Sequence, residues 1–153
     1  MKSFTAVDPQ GHEGKTNVWL TPRWILTALG RFDLDPCAHP TWATALQSYY
    51  ENGLEQDWFG RVWLNPPYGK NIGQWLKRME IHGDGIALVF ARTDTKWFQE
   101  LQFDAANFMK GRVRFLRPDG TEDTNAGTPS MLLAWGENNV RALKKIPGII
   151  LTG

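Results

Sequence analysis

The residues with the most evident chemistry are Asn65-Pro66-Pro67-Tyr68, which close the short apolar run "RVWL" (61–64). Proline has no N–H, and a residue before proline is driven out of the helical region. Asn65-Pro66-Pro67 is therefore a stiff, extended segment rich in carbonyl oxygens and poor in donors. The Asn65 side-chain oxygen and the Pro66 carbonyl suit the two hydrogens of one exocyclic amino group, and Tyr68 offers a flat face to a planar ring. An amino group conjugated to a heteroaromatic ring is a poor nucleophile because its lone pair is delocalised. Two acceptors that draw its hydrogens out of the ring plane localise that lone pair in the transition state, which is electrostatic preorganisation and needs no strong base. A second loaded segment, Asp35-Pro36-Cys37-Ala38, closes "RFDLD" (31–35) on a carboxylate.

Both segments need strands to present them, and the pattern supplies strands alternating with helices. Thr21-Pro22 has the form of a helix start and Gly30 of a stop, which predicts a helix over 22–29. The stretch 43–50 reads as helical, and 51–58 as an acidic, turn-rich connection. Ile72, Trp75, Leu76 and Met79 recur at helical spacing, so 71–79 is an amphipathic helix. "GIALVFA" (85–91) is a nearly continuous apolar run, as a strand covered on both faces would be. Thr93 or Asp94 is placed to cap a helix running through Leu101. Segments 105–109, 112–116 and 130–135 read as strands, with a long loop over 117–129. A last helix over 137–145 and a terminal strand at "GIILTG" complete the chain. This is an α/β pattern, and in such sheets ligands sit beyond the carboxyl ends of the parallel strands.

With 153 residues the expectation is one domain, 18–153, behind a polar, flexible lead-in of residues 1–17. Seventeen basic against sixteen acidic residues leave a net charge of +1, so any nucleic-acid surface must be local. One cysteine excludes an internal disulfide and a cysteine-based zinc site, and His12, His39 and His82 have no metal-ligand spacing, so no metal is expected. A reducing, cytoplasmic setting fits, and no apolar run is long enough for a membrane span or a secretion signal.

At this point the sequence resembles the amino-methyltransferases that use S-adenosylmethionine, whose catalytic motif is Asn-Pro-Pro-Tyr. "TPRWI", "FDLDPCA", "DWFGRVWLNPPYG", "RTDTKWF" and "GRVRF", in this order, look like the phage-type DNA N-6-adenine methyltransferases over roughly residues 18 to 136. The resemblance implies a Rossmann-like sheet, mostly parallel with an antiparallel C-terminal part. It implies transfer of a methyl group from S-adenosylmethionine to the N6 of adenine in DNA; separately, a monomer is expected, although the sequence does not determine the oligomeric state. It assigns Asn65, Pro66, Pro67 and Tyr68 to catalysis. To the cofactor it assigns Thr21 and Pro22, Asp35, Pro36, Cys37 and Ala38, and Asp57 and Trp58, with Asp57 accepting from the cofactor's adenine amino group. The glycine-rich cofactor loop of larger relatives is replaced by Pro36-Cys37-Ala38-His39-Pro40, and the shortened stretch before the next strand leaves the ribose-binding carboxylate unassigned. The same acceptor array suits RNA adenine or a protein glutamine, and a DNA-binding domain without turnover is a further alternative.

Charge is concentrated locally. Arg61, Lys70, Lys77 and Arg78 occur in one stretch without an acid, and Lys110, Arg112, Arg114 and Arg117 in another. Lys70, Lys77, Arg92, Arg112 and Arg114 are the candidate phosphate contacts. Strand alternation points Arg112 and Arg114 to one face and Val113 and Phe115 to the other, which makes Phe115 core. A base inside a duplex reaches no pocket, so a target adenine must be flipped or unpaired. The tryptophans at 24, 63 and 75 fall on apolar faces and read as core, Trp58 and Trp97 are the better stacking candidates, and the histidines read as surface residues.

Overall fold

The apolar runs pair into one seven-stranded sheet. A computed structural model describes residues 19–122 and 127–153, so the lead-in expected over 1–17 lies outside the described residues. The strands are β1 (Leu34–Asp35), β2 (Gln47–Ser48), β3 (Val62–Leu64), β4 (Gly85–Phe90), β5 (Ala105–Met109), β6 (Ser130–Trp135) and β7 (Gly148–Thr152). Their spatial order is β2-β1-β3-β4-β6-β5-β7. The first four are parallel, and β6, β5 and β7 join through antiparallel pairings. This is the shortened Rossmann-like α/β architecture expected, parallel in one half and antiparallel in the other.

Period-two alternation sends successive side chains into two cores. On one side Trp63, Ile86, Leu88, Leu132 and Ala134 meet α1 (Arg23–Leu29), through Ile25, Leu26 and Leu29, and Ala142 of α4 (Glu137–Ala142). On the other, Val62, Leu64, Ala87, Val89, Met131 and Leu133 meet Ile72, Trp75, Leu76 and Met79 of α2 (Ile72–His82). The i, i+3, i+4, i+7 spacing of those four places them on one buried stripe. A fourth helix, α3 (Lys96–Gln99), is capped by Thr95, whose hydroxyl accepts from the Phe98 N–H, rather than by Thr93 or Asp94. Among the described residues no helix is long and apolar enough to cross a membrane.

Two element assignments are corrected. Residues 43–50 are not helical: Gln47 and Tyr49 donate backbone hydrogens to Asp33 and Asp35, so β2 extends the sheet beyond β1. Tertiary pairing overrides a weak local helix preference here. Residues 112–116 are extended, with Val113 and Phe115 buried as expected, but they form no sheet strand. Both edges of β5 are already taken by β6 and β7, and the segment pairs only at Leu116, with Leu20 and Glu122. Trp24 is also corrected, since it is exposed and not core.

Candidate active site

Parallel pairing of β1, β3 and β4 brings their carboxyl ends to one edge, and a cavity of about 60 Å³ opens there to solvent. Its wall includes Asp35, Cys37 and Ala38 after β1, Asn65 to Tyr68 after β3, and Phe90 at the end of β4. Thr21 closes it from the segment before α1. Thr21, Asp35, Cys37, Ala38 and the whole Asn-Pro-Pro-Tyr motif are thus brought together. Pro22 and Pro36 are buried just behind the wall.

Asn65 is fixed by two contacts. Its Nδ2 donates to the Trp19 carbonyl at 2.8 Å and lies 3.4 Å from the Thr21 hydroxyl. A backbone carbonyl only accepts, so the amide nitrogen must face Trp19, and the side-chain oxygen is left as the acceptor. Thr21 is nearly fully buried, and its hydroxyl faces Asn65 instead of capping α1, whose N-cap is Pro22 without a side-chain bond. The Thr21 carbonyl accepts from Trp42 Nε1 at 2.8 Å, which straps the 36–44 loop to the same segment. The Leu20–Leu116 bridge holds that segment from the other side.

Asp35 is 3 % exposed. It accepts from the Cys37 N–H at 2.9 Å and from the Thr44 hydroxyl. Burial pushes its pKa up to about 6 against the lowering effect of those two donors. Burial and the neighbouring Asp35 raise the Cys37 thiol well above its ordinary range, so Cys37 is a neutral wall residue and no nucleophile. Tyr68 stacks on Phe90 with ring centroids 4.4 Å apart and 20° between planes, and its hydroxyl accepts from the Phe90 N–H. Burial also raises the Tyr68 pKa, so its phenol stays neutral. Phe115 meets Phe90 edge-on at 6.2 Å and 87°, and Trp19 meets Phe115 at 6.5 Å.

Several wall residues are ones that sequence reasoning treated otherwise or passed over. Phe115 and Trp63 are core, as expected, but both also line the cavity. His39 is a wall residue and not an ordinary surface histidine; its Nδ1 contacts the Thr41 hydroxyl at 2.8 Å, and burial lowers its pKa. Thr44 and Trp42 carried no signal. Phe90 did, since it ends a strand at the edge where ligands sit, and Trp63 shares a strand face with Asn65 two residues on. The indole nitrogen of Trp63 is buried with no partner, an orphaned donor in the cavity wall.

Other expected site residues stand outside this wall. Trp58 is core: it stacks on Trp75 at 6.4 Å, donates through Nε1 to the Gly53 carbonyl at 2.8 Å, and lies under the Arg78 guanidinium. Asp57 is exposed, and its carbonyl accepts from the Tyr49 hydroxyl. Of the basic candidates, Arg92 is beside the cavity, 5.9 Å over the Phe90 ring. Lys70 and Lys77 line a neighbouring groove, and Lys77 pairs with Glu80. Arg112 and Arg114 are exposed, with Arg114 3.4 Å from Glu122. Arg61 lies at the other end of β3 and is structural: it donates to the Leu29 and Arg31 carbonyls and covers Phe32.

A half-parallel sheet of this order defines a Rossmann-like domain, and the fixed amide acceptor and the buried carboxylate lie together at its strand carboxyl ends, where such sheets bind ligands. The chain belongs to the DNA N-6-adenine-methyltransferase (Dam) family, whose model matches residues 10–146. It is 30% identical over 118 residues to a DNA N-6-adenine-methyltransferase of Escherichia phage T1, a match that covers 70% of this chain and 48% of that protein. The chain therefore spans about half the length of this relative. No solved structure matches it significantly.

Proposed function

We propose that the chain transfers a methyl group from S-adenosylmethionine to the N6 amino group of adenine in DNA. The observation that carries this reading is the Asn65 amide, held by the Trp19 carbonyl so that its oxygen is the free acceptor at the cavity. In the proposed mechanism Asn65 Oδ1 and the Pro66 carbonyl take the two amino hydrogens and localise the nitrogen lone pair. Tyr68, backed by Phe90, provides a planar face for the base. The proton released as the new N–C bond forms passes to solvent, because a methylated arylammonium is far too acidic to need a base.

The chemistry of the donors in the wall fits the cofactor. S-adenosylmethionine brings hydroxyl and amino donors and a carboxylate acceptor. Asp35 is a buried acceptor for the former, while the orphaned Trp63 Nε1 and the Thr21 hydroxyl are donors for the latter. When bound it supplies a methyl group on a sulfonium sulfur, an electrophile strong enough for a neutral amine. Pro36, Cys37, Ala38 and Pro22 shape this side by packing, whereas Asp57 and Trp58 enter the reading through the family resemblance alone. Labelled methyl transfer from S-adenosylmethionine tests the reading with DNA, RNA and protein offered in parallel: label in DNA is expected, and label confined to RNA or protein overturns it.

A further inference from the structure

A second depression, of about 490 Å³, opens where the catalytic motif runs into α2, and Lys70, Gly73, Lys77, Lys96, Trp97 and Glu100 line it. Its place is set by the chain itself, since Lys70 follows Tyr68 by two residues. Lys77 is paired with Glu80, whereas Lys70 and Lys96 have no acidic partner among the described residues. Trp97 is half-buried, lines the groove, and meets Phe98 in a T-shaped contact at 6.2 Å and 86°. Gly73 lies against the root of Trp97: a Cβ there would approach the Trp97 Cβ to 3.3 Å, so the bare position lets α2 and α3 approach closely beside the groove.

We propose that this groove receives the nucleotide next to the target adenine on the same DNA strand. The adjacent base stacks on Trp97, Lys70 and Lys96 take flanking phosphates, and Glu100 offers an acceptor to an exocyclic amino group. This proposal rests on the DNA reading above. An adenine turned out of the stack leaves its neighbour with an uncovered π-face, and an aromatic side chain beside cations is what recovers that lost stacking. The groove's volume is in the range of sites that hold one nucleotide-sized ligand. A solvated lysine face alone would need no such hollow beside a tryptophan.

The test is a binding cycle with adenine-containing oligonucleotides that carry an abasic nucleotide on each side of the adenine in turn, read by fluorescence anisotropy. The protein is compared as wild type, Trp97→Ala and Trp97→Phe, with S-adenosylmethionine affinity as the control for folding. The abasic change on one side is expected to weaken wild-type binding on the order of tenfold. Trp97→Ala should cost a similar factor, the two together no more than either alone, and Trp97→Phe should retain most of the affinity. Additive losses, or wild-type affinity in Trp97→Ala, overturn the proposal. Methyl transfer to the same oligonucleotides separates the two claims. Transfer with additive losses removes the groove and leaves the methyltransferase reading, while coupled losses without transfer remove that reading and leave a DNA-binding groove.

Discussion

Among single residues, Asn65 and Asp35 make the sharpest predictions. Asn65→Ala removes the acceptor and also releases the Trp19 carbonyl. A fall in methylation rate of roughly a hundredfold or more is expected, with S-adenosylmethionine affinity nearly unchanged. Steady-state kinetics beside calorimetry checks this, and retained turnover would remove Asn65 from the mechanism. Asp35 makes a prediction about pH. Its folded pKa, about 6, stands above the ordinary aspartate value of 3.8, so the folded state holds the extra proton. The associated stability is fully present below about pH 4 and is lost as pH rises through 6, on the order of 3 kcal/mol in all. Asp35→Asn should cancel that decline, so urea unfolding should show the variant gaining on wild type between pH 4 and 7. Parallel pH profiles would show that the carboxylate is not desolvated as described. Both residues were legible in the sequence, because an amide before two prolines and an acid closing an apolar run are local patterns. Thr44 and Trp42 were not. Their bonds to Asp35 and Thr21 exist only because the 36–44 loop folds back, and nothing in the spacing encodes that return.

Among the elements, the site depends on how the short outer strands are held. Gly53, in the 3-10 turn Gly53–Glu55, lies against the loop after β1: a Cβ there would fall 1.8 Å from the Pro36 carbonyl oxygen. Gly53→Ala is therefore expected to push the Pro36–Ala38 segment out of place. The thermal midpoint should fall by several degrees, corresponding to about 1 to 3 kcal/mol, and S-adenosylmethionine affinity should fall with it. An unchanged midpoint would mean that the turn yields freely. The central elements could be read in advance because each carries a long period. α2 has its apolar stripe, and β4 and β6 have continuous apolar runs. β2 could not be read, because two half-exposed polar residues carry no pattern and become a strand only by pairing with β1. The 112–116 segment failed in the opposite sense. Its alternation was real, but both sides of β5, the strand that precedes it, were already paired with β6 and β7.

For the whole molecule, a net charge of +1 means that the proposed DNA substrate would be held by placed cations rather than by the global field. Arg112 and Arg114 are exposed on the same side of an extended segment whose Phe115 lines the cavity, and an exposed pair such as Arg114 with Glu122 is weak enough to exchange for phosphate. Replacing both arginines with glutamine should weaken binding to every DNA sequence alike. It should also flatten the dependence of log K on log salt by about one to two units, with cofactor binding untouched. An unchanged slope would shift the phosphate track to Lys70, Lys77 and Arg92. Above all of these stands the claim that the cavity methylates adenine at N6. Its most direct test incubates the protein with DNA and S-adenosylmethionine carrying a deuterated methyl group, then digests the DNA to nucleosides for mass spectrometry. The expected result is labelled N6-methyldeoxyadenosine, abundant with wild type and nearly absent with Asn65→Ala. Label on cytosine or on another adenine atom, or unlabelled DNA from a protein that binds both substrates, would contradict the account.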